Sequence, residues 1–424
     1  MSYAQLLEKL RRQLPADKPV YIGYSGGLDS SLLLRMASEA TDDGQQVIAI
    51  HCNHGVSPNA DHWQKFCELQ SGNQNIQLVV EHLDFSGGFS EAAGRDARYR
   101  VFASHMSEGS VLLLGHHADD QAETVLFRLF RGTGLRGLVG IPATRAFAGG
   151  TLIRPLMALT RAKIEKIARE KGIDWVEDES NQTDRFDRNF IRLKLLPVLL
   201  ERWPRAISSI QRTSEFLRDD IALLDDYADE LLVRVDYRKN EQVDVIASLD
   251  LVQLSKLPVR QKVLVLKRFL SSSLDKVPET LNAGEILTQF LDSKADAEPA
   301  YTLDDKELRR FNQRLFLLRD TPKKAVIEQQ GLRWNGHAPL VLENGILSLT
   351  QGAPDEFIVR FRSGGERLKP EGRKHSQTLK KLMQEYRIEP WIREQIPLVY
   401  QGDRLIAVGD RIFCTEHRFE WARK

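Results

Sequence analysis

Short apolar runs alternate with amphipathic stretches from residue 19 to about residue 180. Runs at 20–24, 46–51, 77–83, 111–115 and 152–154 have the length and β-branched content of buried strands. The stretches between them repeat at helical spacing. Strand and helix in alternation predict an α/β fold, a doubly wound parallel sheet covered on both faces. From 188 to about 234 the period turns helical throughout, with Phe190, Ile191, Leu195, Leu196 and Leu199, then Phe216, Leu217, Leu223 and Leu224. Residues 245–320 read as a mixed, mostly helical unit ending in a strand-like run at 314–318. Pro322-Lys323-Lys324 reads as a linker, and short strands with Gly-rich turns follow. The expected division is therefore an α/β domain over 1–215, a mostly helical domain over 216–320 and a small α+β domain over 325–424.

Composition changes this picture little. A chain of 424 residues, 42% hydrophobic and 28% charged, has the make-up of an ordinary globular protein of two or three domains. The net charge of +1 means that any nucleic-acid contact must come from local patches. Cys52, Cys67 and Cys414 form no CxxC pair, which argues against a disulfide framework, zinc or an iron–sulfur cluster. That usage fits a reducing cytoplasm. Residues 1–18 contain no apolar core of signal-peptide length, and no run approaches the ~20 apolar residues of a membrane span.

The chemistry concentrates at the carboxyl ends of the expected strands, where open α/β sheets bind ligands. The first strand runs into Ser25-Gly26-Gly27-Leu28-Asp29-Ser30, which opens a leucine-rich helix. A glycine pair at a strand-to-helix turn lets several N–H groups converge on one anion, and the helix dipole adds positive potential there. Ser25 and Ser30 add hydroxyl donors, and Asp29 can hold a magnesium ion bridging phosphate oxygens. The Lys of a Walker loop and the third Gly of a dinucleotide fingerprint are both missing. The segment resembles the SGGxDS loop of N-type ATP pyrophosphatases, which cut ATP between the α and β phosphates.

A second motif, His116-His117-Ala118-Asp119-Asp120-Gln121-Ala122-Glu123-Thr124, opens another helix. Asp120, Glu123 and Thr124 share one face. First-turn acids can serve the helix dipole alone, or bind magnesium, or orient an amine nucleophile. In the helix beginning at residue 91, Glu91 and Arg95 are spaced as an ion pair, whereas Arg98 has no such local partner. Arg98 is thus either a solvated side chain or a group that stabilises charge on phosphate. Arg131-Gly132-Thr133-Gly134 reads as a helix C-cap. Arg188 and Arg192, four apart on one helical face with Lys194 and Arg202 beyond, form a basic stripe suited to a phosphate backbone or to solvent. Residues 357–394 carry ten Lys or Arg against five Glu, including Lys380 and Lys381, interleaved with Phe361, Tyr386 and Trp391. Such a patch suits RNA, although the aromatics can equally be core.

Taken in order, these motifs, with IRPL at 153–156, EDESN and RNFIR across 177–192, RSGGERLKP at 362–370 and the KKLMQE and IEPWIREQIPLVY segments across 380–400, resemble the tRNA(Ile)-lysidine synthase family over nearly the whole chain. The resemblance implies an ATP pyrophosphatase domain followed by two further domains, the last binding tRNA. It implies ATP and Mg²⁺ as cofactors. It implies as substrates an isoleucine tRNA with anticodon CAU and free L-lysine, with a homodimer left open. The wobble cytidine would be adenylated at its 2-carbonyl oxygen and then attacked by a lysine amine. On this pattern Ser25, Gly26, Gly27, Leu28, Asp29 and Ser30 would bind ATP, with Asp29 also holding Mg²⁺. Asp29, Arg98, Asp120 and Glu123 would be catalytic, the two acids serving metal or the lysine amine. Arg188, Asn189, Arg192, Lys380 and Lys381 would contact RNA. The second-strand segment, with Cys52 and Asn53, departs from the family pattern. Competing readings are a tRNA thiolase, which the cysteines disfavour, an amidotransferase-type ligase, which lacks a basic C-terminal module, and a non-catalytic RNA-binding protein.

Overall fold

The computed structural model describes residues 2–41, 44–55, 57–84, 90–177, 187–274, 277, 281–294, 297, 299–319 and 331–423. The chain divides into two compact units, Met1–Leu223 and Leu224–Lys424.

The first unit is built on a six-stranded sheet. In chain order its elements are α1 (Tyr3–Arg11), β1 (Val20–Gly23), α2 (Leu28–Ala40), β2 (Val47–Asn53), α3 (Ala60–Asn73), β3 (Gln77–His82), α4 (Glu91–His105), β4 (Val111–Leu113) and α5 (Ala118–Phe130). They continue with α6 (Leu135–Leu138), β5 (Thr144–Phe147), β6 (Gly150–Ile153), α7 (Arg161–Glu170), α8 (Asp187–Phe190), α9 (Leu196–Arg202) and α10 (Ala206–Arg234). The strand order is β3-β2-β1-β4-β6-β5. All neighbours are parallel except the β5–β6 hairpin. The doubly wound parallel sheet expected from the alternation is present, and each of the five expected strands overlaps an observed one.

The central strands are apolar because they are covered on both faces. Val20 and Ile22 turn to one core with Leu32, Leu33, Leu34 and Met36 of α2, all of them fully buried. Tyr21, Ile50 and Leu112 turn to the other, with Phe102 of α4. Each fully buried Leu contributes roughly 1.5–3 kcal/mol, so α2, which carries the glycine loop on its N-terminus, is firmly seated. The reversal of strand order between β1 and β4 opens a crevice at the carboxyl ends, the usual ligand position in such sheets.

The second unit begins with the end of α10, which runs unbroken through residue 215. It contains a five-stranded antiparallel sheet in the order β7-β8-β11-β10-β9, formed by Arg238–Gln242, Val245–Asp250, Arg314–Leu318, Lys306–Phe311 and Ala300–Leu303. Helices α11 (Leu251–Lys256), α12 (Val259–Ser273) and α13 (Ala283–Leu291) lie in sequence between β8 and β9, and residues of α11, α12 and α13 share one core with β8, β10 and β11. The strand expected at 314–318 is thus the middle of a sheet that the periodicity did not reveal. Residues 331–423 form short antiparallel strands and the helix Leu379–Glu385 around a core containing Phe357, Leu382, Trp391 and Phe419. Trp391 is buried and Phe361 packs against this core, so both are structural aromatics, whereas Tyr386, Lys380 and Lys381 are exposed. Asp178 to Asn181 and Pro322-Lys323-Lys324 lie outside the described residues.

Candidate active site

A cleft of about 510 Å³ opens at the carboxyl ends of β1, β2 and β4. The glycine loop forms its floor. Gly26 takes φ +81°, a conformation closed to most side chains, and a Cβ there would stand 3.0 Å from the Cys67 sulfur. The Gly26 carbonyl accepts from the Val176 N–H at 2.9 Å and from the Ser31 hydroxyl at 3.1 Å. Ser25 and Ser30 meet oxygen to oxygen at 3.0 Å, and the Ser30 hydroxyl also reaches the Gly27 carbonyl at 3.0 Å. The serines therefore brace the loop from within, Ser30 Oγ accepting from the Ser25 N–H at 3.2 Å and Ser25 Oγ from the Gly27 N–H at 3.4 Å. Behind it, the His51 ring N–H donates to the Tyr24 carbonyl at 3.0 Å, and Cys67 packs against that ring.

Asp29 occupies the first turn of α2 and lines the cleft. Gly115 lets β4's end approach it, since a Cβ at 115 would lie 3.1 Å from Asp29 backbone. The Oδ1 atom of Asp29 is buried and accepts no hydrogen bond. Burial raises its pKa, the charge of Asp120 adds to that, and His117 and Arg161 oppose it. His117 Nε2 stands 3.6 Å from Asp29 Oδ1, beyond hydrogen-bond length, so the carboxylate beside the glycine loop keeps room for a magnesium ion held by one acid and by substrate oxygens. Such an ion needs no cage of protein ligands, and among the described residues no cluster of three His, Cys, Asp or Glu forms one.

The second wall is the start of α5. His117 caps it by accepting from Asp119 N at 3.2 Å, and Asp120 returns the bond by accepting from His117 N at 2.9 Å. Burial disfavours a charged His117, yet Asp119, Asp120 and Asp29 outweigh it and carry the ring up to about 9. The backbone cap describes the neutral ring. When charged, Nδ1 becomes a donor whose acceptor is Asp119 Oδ2 at 3.5 Å. Asp119 itself accepts from Arg161 N at 2.9 Å, so its work is largely structural.

Asp120 lines the cleft, but Glu123, one turn further, does not. Arg192 covers Glu123 with two bonds of 2.6 and 2.9 Å and reaches Asp120 Oδ1 at 3.4 Å. Burial pushes Glu123's pKa up and Arg192 opposes this. Bidentate bonds this short belong to an ionised carboxylate, so Glu123 is charged. Arg192 was expected on an RNA-facing stripe. Its guanidinium serves these two acids and lines the cleft, from a π-helical turn at Ile191–Leu195. Arg188 lies over the Phe127 ring at 5.8 Å, and Asn189 is half-buried.

The third wall is α4. Arg95 and Arg98 both line the cleft, and Arg95 stacks over Tyr99 at 5.3 Å. Two further basic groups had no role assigned from the sequence, although Arg154 lies in the IRPL segment. Arg161 stands 3.7 Å from Asp29; its sole sequence signal is the Thr160 N-cap before an amphipathic helix. Arg154 is 3% exposed and contacts His116, Tyr99 and the Pro142 carbonyl.

Known families account for the same segments. A PP-loop domain matches residues 2–199, a TilS substrate binding domain 249–316 and a TilS substrate C-terminal domain 357–423. The tRNA(Ile)-lysidine synthase of Proteus mirabilis is 34% identical, covering 97% of this chain and 95% of its own. Those of Vibrio campbellii and Coxiella burnetii are each 35% identical over 96% of this chain, covering 95% and 92% of theirs. Identity of this extent over nearly the whole chain, with family models matched to three successive segments, shows that the chain belongs to the tRNA(Ile)-lysidine synthase family.

Proposed function

We propose that the cleft joins free L-lysine to the wobble cytidine of an isoleucine tRNA with anticodon CAU, at the cost of ATP. In the first step the 2-carbonyl oxygen of cytosine attacks the α phosphorus, the bond to the β-phosphate oxygen breaks and pyrophosphate leaves. In the second, a lysine amine attacks the same ring carbon, the carbon–oxygen bond breaks, AMP leaves and the amine sheds its proton.

The observation that carries this reading is the convergence of three walls on one crevice: an anion-binding loop, a pair of arginines and an acid. The loop N–H groups and the N-terminus of α2 take the pyrophosphate. Asp29 is the residue that would hold Mg²⁺, whose chemistry when bound is to draw charge off the phosphate oxygens. Arg98 faces the α phosphate. Asp120, the acid exposed to the cleft, receives the lysine amine, and Glu123 acts through Arg192, which it holds beside Asp120. Arg188, Asn189, Lys380 and Lys381 contact tRNA phosphates. The chemistry belongs to the first unit, whose end lies within α10 and not at the expected 215, and substrate binding to the segments expected at 216–320 and 325–424. The enzyme works in the cytoplasm.

The two steps can be separated. With ATP, Mg²⁺ and a CAU-anticodon transcript but no lysine, pyrophosphate should form with an adenylated transcript. Added lysine should then release AMP. Pyrophosphate release without tRNA, at the same rate, would refute the assignment of tRNA as the adenylated substrate.

A further inference from the structure

His116 sits at the carboxyl end of β4, lines the cleft and is absent from the roles assigned above. Its neighbour Arg154 follows β6 and is almost wholly buried. Arg154 Nε donates to His116 Nδ1 at 3.3 Å, its NH1 donates to the Pro142 carbonyl at 2.7 Å, and its NH2 donates to the Tyr99 hydroxyl at 3.1 Å. A guanidinium can only donate. Nδ1 of His116 must therefore carry no proton, and a neutral ring then has its proton on Nε2. Three anchors on three different segments leave Arg154 no freedom to turn away.

We propose that Arg154 is a positioning residue that fixes the His116 proton on Nε2, so that the ring works as a neutral hydrogen-bond donor to a substrate oxygen in the cleft. The charged groups facing His116 are Asp120 of α5, Arg154, and Arg95 and Arg98 of α4. Burial and the three arginines outweigh Asp120 and hold the ring well below the ordinary imidazole range. A neutral donor does not compete with the arginines for phosphate charge, nor repel the incoming ammonium of lysine. It contributes where a fixed dipole is wanted, next to an oxygen that gains charge as a bond breaks. The oxygen belongs either to a phosphoryl group or to the 2-carbonyl of the base. Only the name of that acceptor rests on the reaction proposed above.

The test is histidine ¹⁵N spectroscopy of the full-length protein, with the His116 signals identified by their loss in H116A. We expect one tautomer, Nε2 protonated and Nδ1 bare, throughout about pH 5 to 8, where an ordinary histidine titrates. A doubly protonated ring or an Nδ1–H tautomer in the wild-type protein would overturn the proposal, whatever the lysine-ligation activity is. H116A should lose roughly 10²-fold in kcat/KM, the usual worth of a positioned proton donor; wild-type kinetics in H116A would also overturn it. R154M should gain an acid limb in its pH profile that R154K lacks or shows weakly, a change that a general loosening of the fold would not produce. Weaker binding of a non-hydrolysable ATP analogue to H116A assigns the acceptor to a phosphoryl oxygen. Unchanged analogue binding with slow adenylation assigns it to the base.

Discussion

At the scale of single residues, the site runs on buried charges whose partners fix their state. Asp120→Asn keeps the oxygen that caps α5 and removes the charge that would meet an amine. It should lower lysine incorporation by roughly 10²-fold or more with little change in thermal stability, measured by labelled-lysine transfer and a melting curve. Full activity in this variant would remove Asp120 from the mechanism. Arg192→Met strips Glu123 of both its bonds and leaves a buried carboxylate alone. Loss of one partner of a buried pair costs about 3–5 kcal/mol. Arg192 is 31% exposed, so solvent screens part of this and about 2 kcal/mol is the better expectation. A denaturant titration measures it, and Glu123→Gln in the same chain should recover much of the loss, since the two residues are coupled. The thiols provide a pH test. Burial lifts Cys67 to about 12 and Cys52 to about 11, with Glu68 adding to the first and Arg98 opposing the second. A thiol whose pKa lies above the working pH stays protonated and unreactive. Iodoacetamide at pH 8 should therefore spare both in the native protein and label both after unfolding; rapid native labelling at either Cys52, half-buried at the cleft, or the buried Cys67 would contradict their raised pKa.

At the scale of elements, what could be read from the sequence depended on whether burial left a pattern. The central parallel strands β1, β2 and β4 are covered on both faces, so they stand out as apolar runs, and β3, at the edge, shows only its half-buried Leu78-Val79-Val80. β5, Thr144–Phe147, is an edge strand with three exposed residues and no apolar run to betray it. β7 and β10 are rich in charge, Arg238-Lys239 and Arg309-Arg310 among them, and were hidden for the same reason. The glycine loop was legible because its function demands a rare backbone shape. Gly26→Ala tests that demand: strain at φ +81° and the 3.0 Å approach to Cys67 cost roughly 1–3 kcal/mol of backbone strain and should weaken ATP binding by about 5- to 150-fold. Calorimetry with ATP reads the change, and unaltered affinity would mean that the loop does not hold the nucleotide. Arg192 could be found as a basic residue but not placed, because its partner Glu123 lies 69 residues away and only the fold unites them.

At the scale of the whole molecule, the cleft and the C-terminal lysine pair lie in different units. The active-site cleft belongs to Met1–Leu223, while Lys380 and Lys381 stand exposed on a short helix in Leu224–Lys424. No helix among the described residues is long and apolar enough to cross a membrane. If the C-terminal lysines pair with phosphates, Lys380→Glu with Lys381→Glu should weaken tRNA binding and lower the slope of log affinity against log salt by about 1–2. ATP binding should be untouched. An unchanged salt slope would exclude these lysines from the interface.

The account stands most directly on one measurement: mass analysis of the nucleosides from a CAU-anticodon isoleucine transcript incubated with the protein, ATP, Mg²⁺ and labelled lysine. It predicts a lysine adduct on the wobble cytidine, with AMP and pyrophosphate formed in equal amount. ATP turned over to AMP with no adduct on that base, or tRNA bound with no turnover at all, would contradict it.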